Sequence, residues 1–170
     1  MELRKFIKTT IREYLNEEKM LNVNDIWYHG SDIKKPNFDS DSKPIFFTKS
    51  KEYAEGYGKF VNSYKLNIKN PLDTRREKDL IFYNEKFIPW TKEYKYTQKD
   101  GRYNTLTKGL AVPMITADLL YLFLRKSKRE GLNHNYDGVI VDESGFEFDN
   151  KLAKYSLFPL SFTQIKNASF

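Results

Sequence analysis

The apolar residues of this chain are spaced first as in a helix and then, for most of its length, as in strands. Over residues 1–18, Leu3, Phe6, Ile7, Ile11, Tyr14 and Leu15 recur at helical spacing while Glu, Lys and Arg fill the other face. That pattern predicts an amphipathic N-terminal helix. From residue 25 the period shortens. Ile26-Trp27-Tyr28 is a short buried-strand run ending at His29-Gly30-Ser31, and Ile45-Phe46-Phe47 is the next, across a polar, turn-rich stretch. Ser50 is placed to cap a helix of about two turns, Lys51 to Tyr57, that stops at Gly58. Val61 to Ile68 alternates as a half-buried strand does, and Asn70-Pro71 closes it. Residues 73–108 show little regularity apart from a hairpin signal at Asp100-Gly101. Thr116 to Lys128 reads as a helix with a basic end, and Gly138 to Val141 as a buried strand. Residues 143–150 read as a loop, and Leu152 to Phe158 and Phe162 to Ile165 as closing strands. Helices interrupt strands irregularly, so the pattern predicts one α+β domain over 25–170 rather than a doubly wound sheet.

Composition narrows the class. A length of 170 residues fits a single domain, and 13 Phe with 12 Tyr argue against disorder. The absence of cysteine excludes a disulfide scaffold, a cysteine-zinc site and a thiol nucleophile. Two histidines exclude a three-histidine metal site, so no metal is expected. The net charge of +6 permits an acidic partner or nucleic acid without demanding one. No apolar run reaches the ~18 residues of a membrane span, and the charged N-terminus is no secretory signal. The expectation is a soluble cytoplasmic protein without a membrane partner.

One constellation carries chemistry. His29 and Gly30 put an imidazole and a bare backbone at a strand end, where no side chain keeps a flat ligand from main-chain N–H and C=O. Phe46 and Phe47 on the next strand and Tyr57 at the helix end offer aromatic faces. Two such faces beside a polar strand edge suit a planar heterocycle, although core packing alone accounts for aromatics in so aromatic a chain.

The ordered set Tyr28-His29-Gly30-Ser31, Ile45-Phe46-Phe47-Thr48 and Ala54-Glu55-Gly56-Tyr57 resembles the ADP-ribosyltransferases of the poly-ADP-ribose-polymerase and diphtheria-toxin type. Asn67-Ile68-Lys69-Asn70-Pro71-Leu72-Asp73 and Tyr136-Asp137-Gly138-Val139-Ile140 are similar to the phage and mobile-element branch of that family, as are Tyr155-Ser156-Leu157-Phe158-Pro159 and Gln164-Ile165-Lys166-Asn167-Ala168. The resemblance covers residues 26–168. It implies a split antiparallel β-sandwich and toxin-like transfer of single ADP-ribose units from NAD to a host protein or nucleic-acid acceptor. His29 would hydrogen-bond the adenosine ribose, and the Gly30 backbone would pair with the nicotinamide carboxamide. Phe46 and Tyr57 would stack on the nicotinamide, and Ser31 and Phe47 complete the implied NAD-binding set.

The chain departs from the family pattern at one position. The carboxylate that stabilises the developing positive charge falls, by that match, on Lys154. Glu143 and Glu147 lie in the preceding loop, and Glu147 is the favoured replacement, catalytic together with His29. The stretch Lys86 to Lys108 interleaves Phe87, Trp90, Tyr94, Tyr96 and Tyr103 with basic residues and is the expected specificity insert. Leu15-Asn16-Glu17 looks like the processing site of phage head-targeting leaders, which would make residues 1–17 a cleaved leader and the enzyme a packaged virion protein. Two other readings stay open. One is a non-catalytic NAD-binding or virion module of the same fold, and the other is a basic nucleic-acid-binding domain.

Overall fold

A computed structural model describes residues 26–38, 43–93, 104–107, 110–129, 133–142 and 155–168. The predicted N-terminal helix and leader site, the hairpin at Asp100-Gly101, and Glu143, Glu147 and Lys154 lie outside the described residues. Within them the architecture is α+β. Eight strands form one hydrogen-bonded sheet: β1 (Ile26–Ser31), β2 (Phe47–Thr48), β3 (Phe60–Leu66), β4 (Pro71–Leu72), β5 (Val112–Pro113), β6 (Gly138–Asp142), β7 (Tyr155–Pro159) and β8 (Ile165–Asn167). Their order is β4-β6-β7-β2-β1-β3-β8, with β5 pairing β6 beyond β4. All pairs are antiparallel except β4 and β5 against β6. No described helix is long and apolar enough to cross a membrane.

The sheet cannot be flat. β3 and β4 stand five strand spacings apart, roughly 24 Å in a flat sheet, yet the chain from Leu66 to Pro71 reaches at most about 17 Å. The sheet therefore curls back on itself, and its two faces bury two cores. Successive residues of β6 alternate between them: Val139 and Val141 enter the first and Ile140 the second. Among the described residues, the second core contains no helical one. Trp27, Phe47, Tyr64 and Leu66 meet Ile140 and Leu157 there, strand face against strand face.

Helices cover the first core. α1 (Lys51–Glu55) is short and its N-terminus is capped as expected, the Ser50 hydroxyl accepting the Tyr53 N–H at 3.1 Å. Two longer helical elements pack on β4, β6 and β7. α4 (Ala117–Arg129) agrees with the sequence expectation, and His134 Nε2 donates to the Leu124 carbonyl at 2.9 Å near its C-terminal end. The other is a correction. Residues 77–93, read as irregular, are helical: α2 (Glu77–Phe82), a π-turn over Tyr83–Phe87, and α3 (Ile88–Glu93). Pro89 lacks an N–H and its ring would crowd the carbonyl four residues back, and the wide turn just upstream absorbs that misfit. Phe87 is fully buried and Trp90 packs against the same core, so these two aromatics of the expected specificity insert are core residues.

Two strands also shift. β2 begins at Phe47 rather than Ile45, and Phe162–Gln164 is a 3₁₀ turn rather than a strand. Ser161 and Gln164 form a capping box there, which ties the backbone into a turn before β8.

Candidate functional site

β1 and β2 share a single register pair, Tyr28 opposite Thr48. Beyond it a cleft of about 220 Å³ opens, walled by His29 and Gly30 of β1, by Phe46 and Phe47 leading into β2, and by Tyr53 and Tyr57 from α1 and its end. The three segments that the sequence singled out thus meet at one place.

His29 sits at the junction. Its Nδ1 lies 2.9 Å from the main-chain oxygen of Phe46. A carbonyl oxygen only accepts, so Nδ1 carries the proton and the neutral ring keeps its lone pair on Nε2. Burial lowers the His29 pKa below the ordinary 6.5, against the smaller upward pull of the Phe46 hydrogen bond. The ring is further held between Phe38, which it meets edge-on at 5.6 Å, and Phe47, tilted against it at 5.5 Å. A histidine so fixed is a neutral hydrogen-bond acceptor of set tautomer near pH 7.

The aromatic residues divide by depth. Phe47 is fully buried and backs His29 from within the second core. Phe46 is half-buried and rests edge-on against Phe158 at 5.5 Å. Tyr57 is 48% exposed and forms the outer wall. Its hydroxyl is 2.7 Å from that of the buried Tyr53, one helical turn away. Phe46 and Tyr57, with the half-buried Tyr28, are therefore the lining tyrosine and phenylalanine rings that keep surface for a ligand.

Gly30 is required for a different reason than the sequence suggested. A Cβ there would lie 1.9 Å from the Ala54 carbonyl oxygen, so its bareness lets the end of α1 sit directly on β1. That close approach is also what brings Tyr57 over the cleft. Ser31 does not line the cleft; its hydroxyl accepts the Ile33 N–H at 3.1 Å and shapes the turn after β1. None of the described lining residues is acidic, and among the described residues no cluster of His, Asp and Glu could hold a metal ion.

Among the lining residues that sequence reasoning did not assign to the site are Tyr53, Met114 and Ser156. Tyr53 had a signal, since it stands four residues before Tyr57 and shares its helical face. Ser156 enters because β7 pairs with β2 in the register that sets Thr48 opposite Ser156. Met114 follows β5 and carries no local signal at all.

Apart from Ser156, the remaining segments that the sequence singled out build the frame rather than the cleft. Asp137 accepts the backbone N–H groups of Lys69 and Asn70 at 2.7 and 2.8 Å, which docks the turn before β4 against the start of β6. Tyr136 donates to the fully buried carboxylate of Asp79 at 2.7 Å, and the same carboxylate accepts from Arg76 Nε and the Asp73 N–H. Burial and the Asp79 carboxylate push the Tyr136 hydroxyl well above its usual range.

No family model, no curated protein and no solved structure matches this chain.

Proposed function

We infer that the cleft binds the nicotinamide end of NAD and that the protein is a mono-ADP-ribosyltransferase. The observation that carries this reading is the joint position of His29, Phe46 and Tyr57 around one cleft, with His29 neutral and its Nε2 lone pair unspent in the Phe46 hydrogen bond. An acceptor nitrogen suits a ribose hydroxyl, and the Phe46 and Tyr57 rings suit the flat nicotinamide. The cleft is smaller than the ~300–1,000 Å³ that encloses a drug-sized ligand, which fits a single ring group with the rest of the dinucleotide lying outside. The reading extends to a split β-sandwich, supported by the curled sheet and by the second core, in which strand faces meet without a helical residue among those described.

In such a transfer the bond between nicotinamide and ribose breaks, neutral nicotinamide leaves, and an acceptor oxygen or nitrogen bonds to the anomeric carbon as it loses its proton. This chain's part is to bind and orient. His29 fixes the ribose, Gly30 offers main-chain groups, and Tyr53 holds the Tyr57 ring through its hydroxyl. No carboxylate comes from the described lining residues, so Glu147 is the assigned charge-stabilising group. Incubation with labelled NAD, followed for nicotinamide release and label transfer, tests the reading. Release by the wild type and its loss in His29→Ala is the expected result; no NAD binding by calorimetry overturns it.

Lys154, at the position of the family's carboxylate, favours a second reading in which the cleft binds NAD without cleaving it. NAD binding without release, together with a gain of release in Lys154→Glu, selects that reading. The gain expected from one well-placed electrostatic group is ~10²–10³ in rate.

A further inference from the structure

The α1 helix has two working faces. Tyr53, Ala54 and Tyr57 look into the cleft, while Lys51 and Glu55 line a second, larger groove of about 540 Å³. Lys34, Lys59, Phe60 and Asn62 complete that groove, and Val61 on its floor stands opposite Gly30 of the cleft in the β1–β3 ladder. Cleft and groove thus share α1 and lie on the paired strands β1 and β3 respectively.

We propose that this groove docks single-stranded nucleic acid. Lys34, Lys51 and Lys59 are exposed, and none is in a salt bridge among the described residues. The acids nearby are Glu52, which interacts electrostatically with its neighbour Lys51, Glu55, and Asp32, whose carboxylate accepts the Lys59 N–H at 3.3 Å. Three exposed lysines on one groove attract a polyanion. Two further features favour a nucleic acid over an acidic peptide. Phe60 keeps 38% of its surface exposed among the lysines, a ring on which a base can stack. The Asn62 amide nitrogen, beside the groove, is buried without a hydrogen-bond partner among the described residues, a donor that a base edge or phosphate oxygen would satisfy once the side chain turns outward. A strand lying there passes directly beside the cleft. That it serves as the acceptor of ADP-ribose rests on the transferase reading; the binding itself does not.

Fluorescence anisotropy of a labelled single strand of about 16 nucleotides tests the proposal. The wild type binds, and its log affinity falls with log salt. In the Lys34→Gln/Lys51→Gln/Lys59→Gln triple variant, binding weakens at least about tenfold near 50 mM salt and the slope flattens by about 2, three phosphates at ~0.7 each. Phe60→Ala weakens binding about fivefold or more. All four positions are exposed, and thermal melts followed by circular dichroism verify that each variant is folded. Equal affinity of the triple variant and the wild type overturns the proposal. So does displacement of the strand by polyglutamate as effective as by unlabelled oligonucleotide, or a triple variant that loses NAD but keeps the strand. A protein that binds the strand but not NAD keeps the groove and rejects the transferase reading.

Discussion

The His29 imidazole donates its Nδ1 proton across 2.9 Å to the backbone oxygen of Phe46, and that one bond links β1 to the segment entering β2 where their ladder has ended. It sets the tautomer of the only histidine in the cleft and holds the Phe46 backbone at its rim. Orientation of the ring and position of the ligand wall are therefore one structural fact.

This coupling gives a pH dependence. The folded-state pKa of His29 lies below 6.5, so the unfolded chain takes up a proton first as pH falls. The contribution of a neutral His29 to stability is complete above 6.5 and declines as pH drops through the window between the two pKa values, then levels off. NAD binding is flat above pH 7 and falls once the folded imidazole is protonated, because Nε2 then ceases to accept. Calorimetric titrations from pH 5 to 8, compared with His29→Ala, isolate this contribution. A wild-type profile that follows the variant's would remove His29 from the binding step.

The hydroxyl pair of Tyr53 and Tyr57 gives a prediction that separates orientation from packing. Tyr53→Phe keeps the buried ring and deletes the group that steadies Tyr57. Stability changes by about 1 kcal/mol or less, whereas NAD affinity falls a few-fold, up to about tenfold. Denaturation midpoints and calorimetry on the same samples distinguish the two effects.

Gly30→Ala places a methyl group 1.9 Å from a backbone oxygen that cannot rotate away. Either α1 lifts from β1 or the strand bends, at a cost of about 3 kcal/mol or more. Urea denaturation with an unchanged m-value reads that loss. Because α1 carries Tyr57, ligand affinity drops even where the variant remains folded.

Asp79 is fully buried and its carboxylate joins Tyr136, Arg76 and the Asp73 backbone. Asp79→Ala strands these donors and costs about 3–5 kcal/mol, while Tyr136→Phe removes a single bond and costs about 1 kcal/mol. Neither residue lines the cleft, so folded Tyr136→Phe protein keeps wild-type NAD affinity. Equal costs for the two variants would show that the carboxylate is not the hub of this cluster.

Read in isolation, the amino-acid order already contained the β1 strand, the Ser50 cap of α1, the α4 helix and the buried strand β6. Each is written in local terms: an apolar period, a capping hydroxyl, a run of β-branched residues. It also contained the ingredients of the cleft, since His29, Gly30, Phe46 and Tyr57 fall on elements recognisable from their own neighbours. Residues 77–93 were not legible as helix because Pro89 interrupts the pattern, and only packing on the β4–β6–β7 face makes a π-turn there worth its poorer hydrogen bonds.

Assembly belonged to the tertiary structure alone. Which aromatic is wall and which is core was decided by the curl of the sheet, which turns Phe47 inward and leaves Phe46 at the rim. Met114 and Ser156 joined the cleft, and Lys34, Lys51 and Lys59 came to share a groove, through pairings between segments far apart in the chain. Period and propensity report what a residue's sequence neighbours impose. Strand register and the closure of a sheet depend on long-range contacts, and no local signal encodes them.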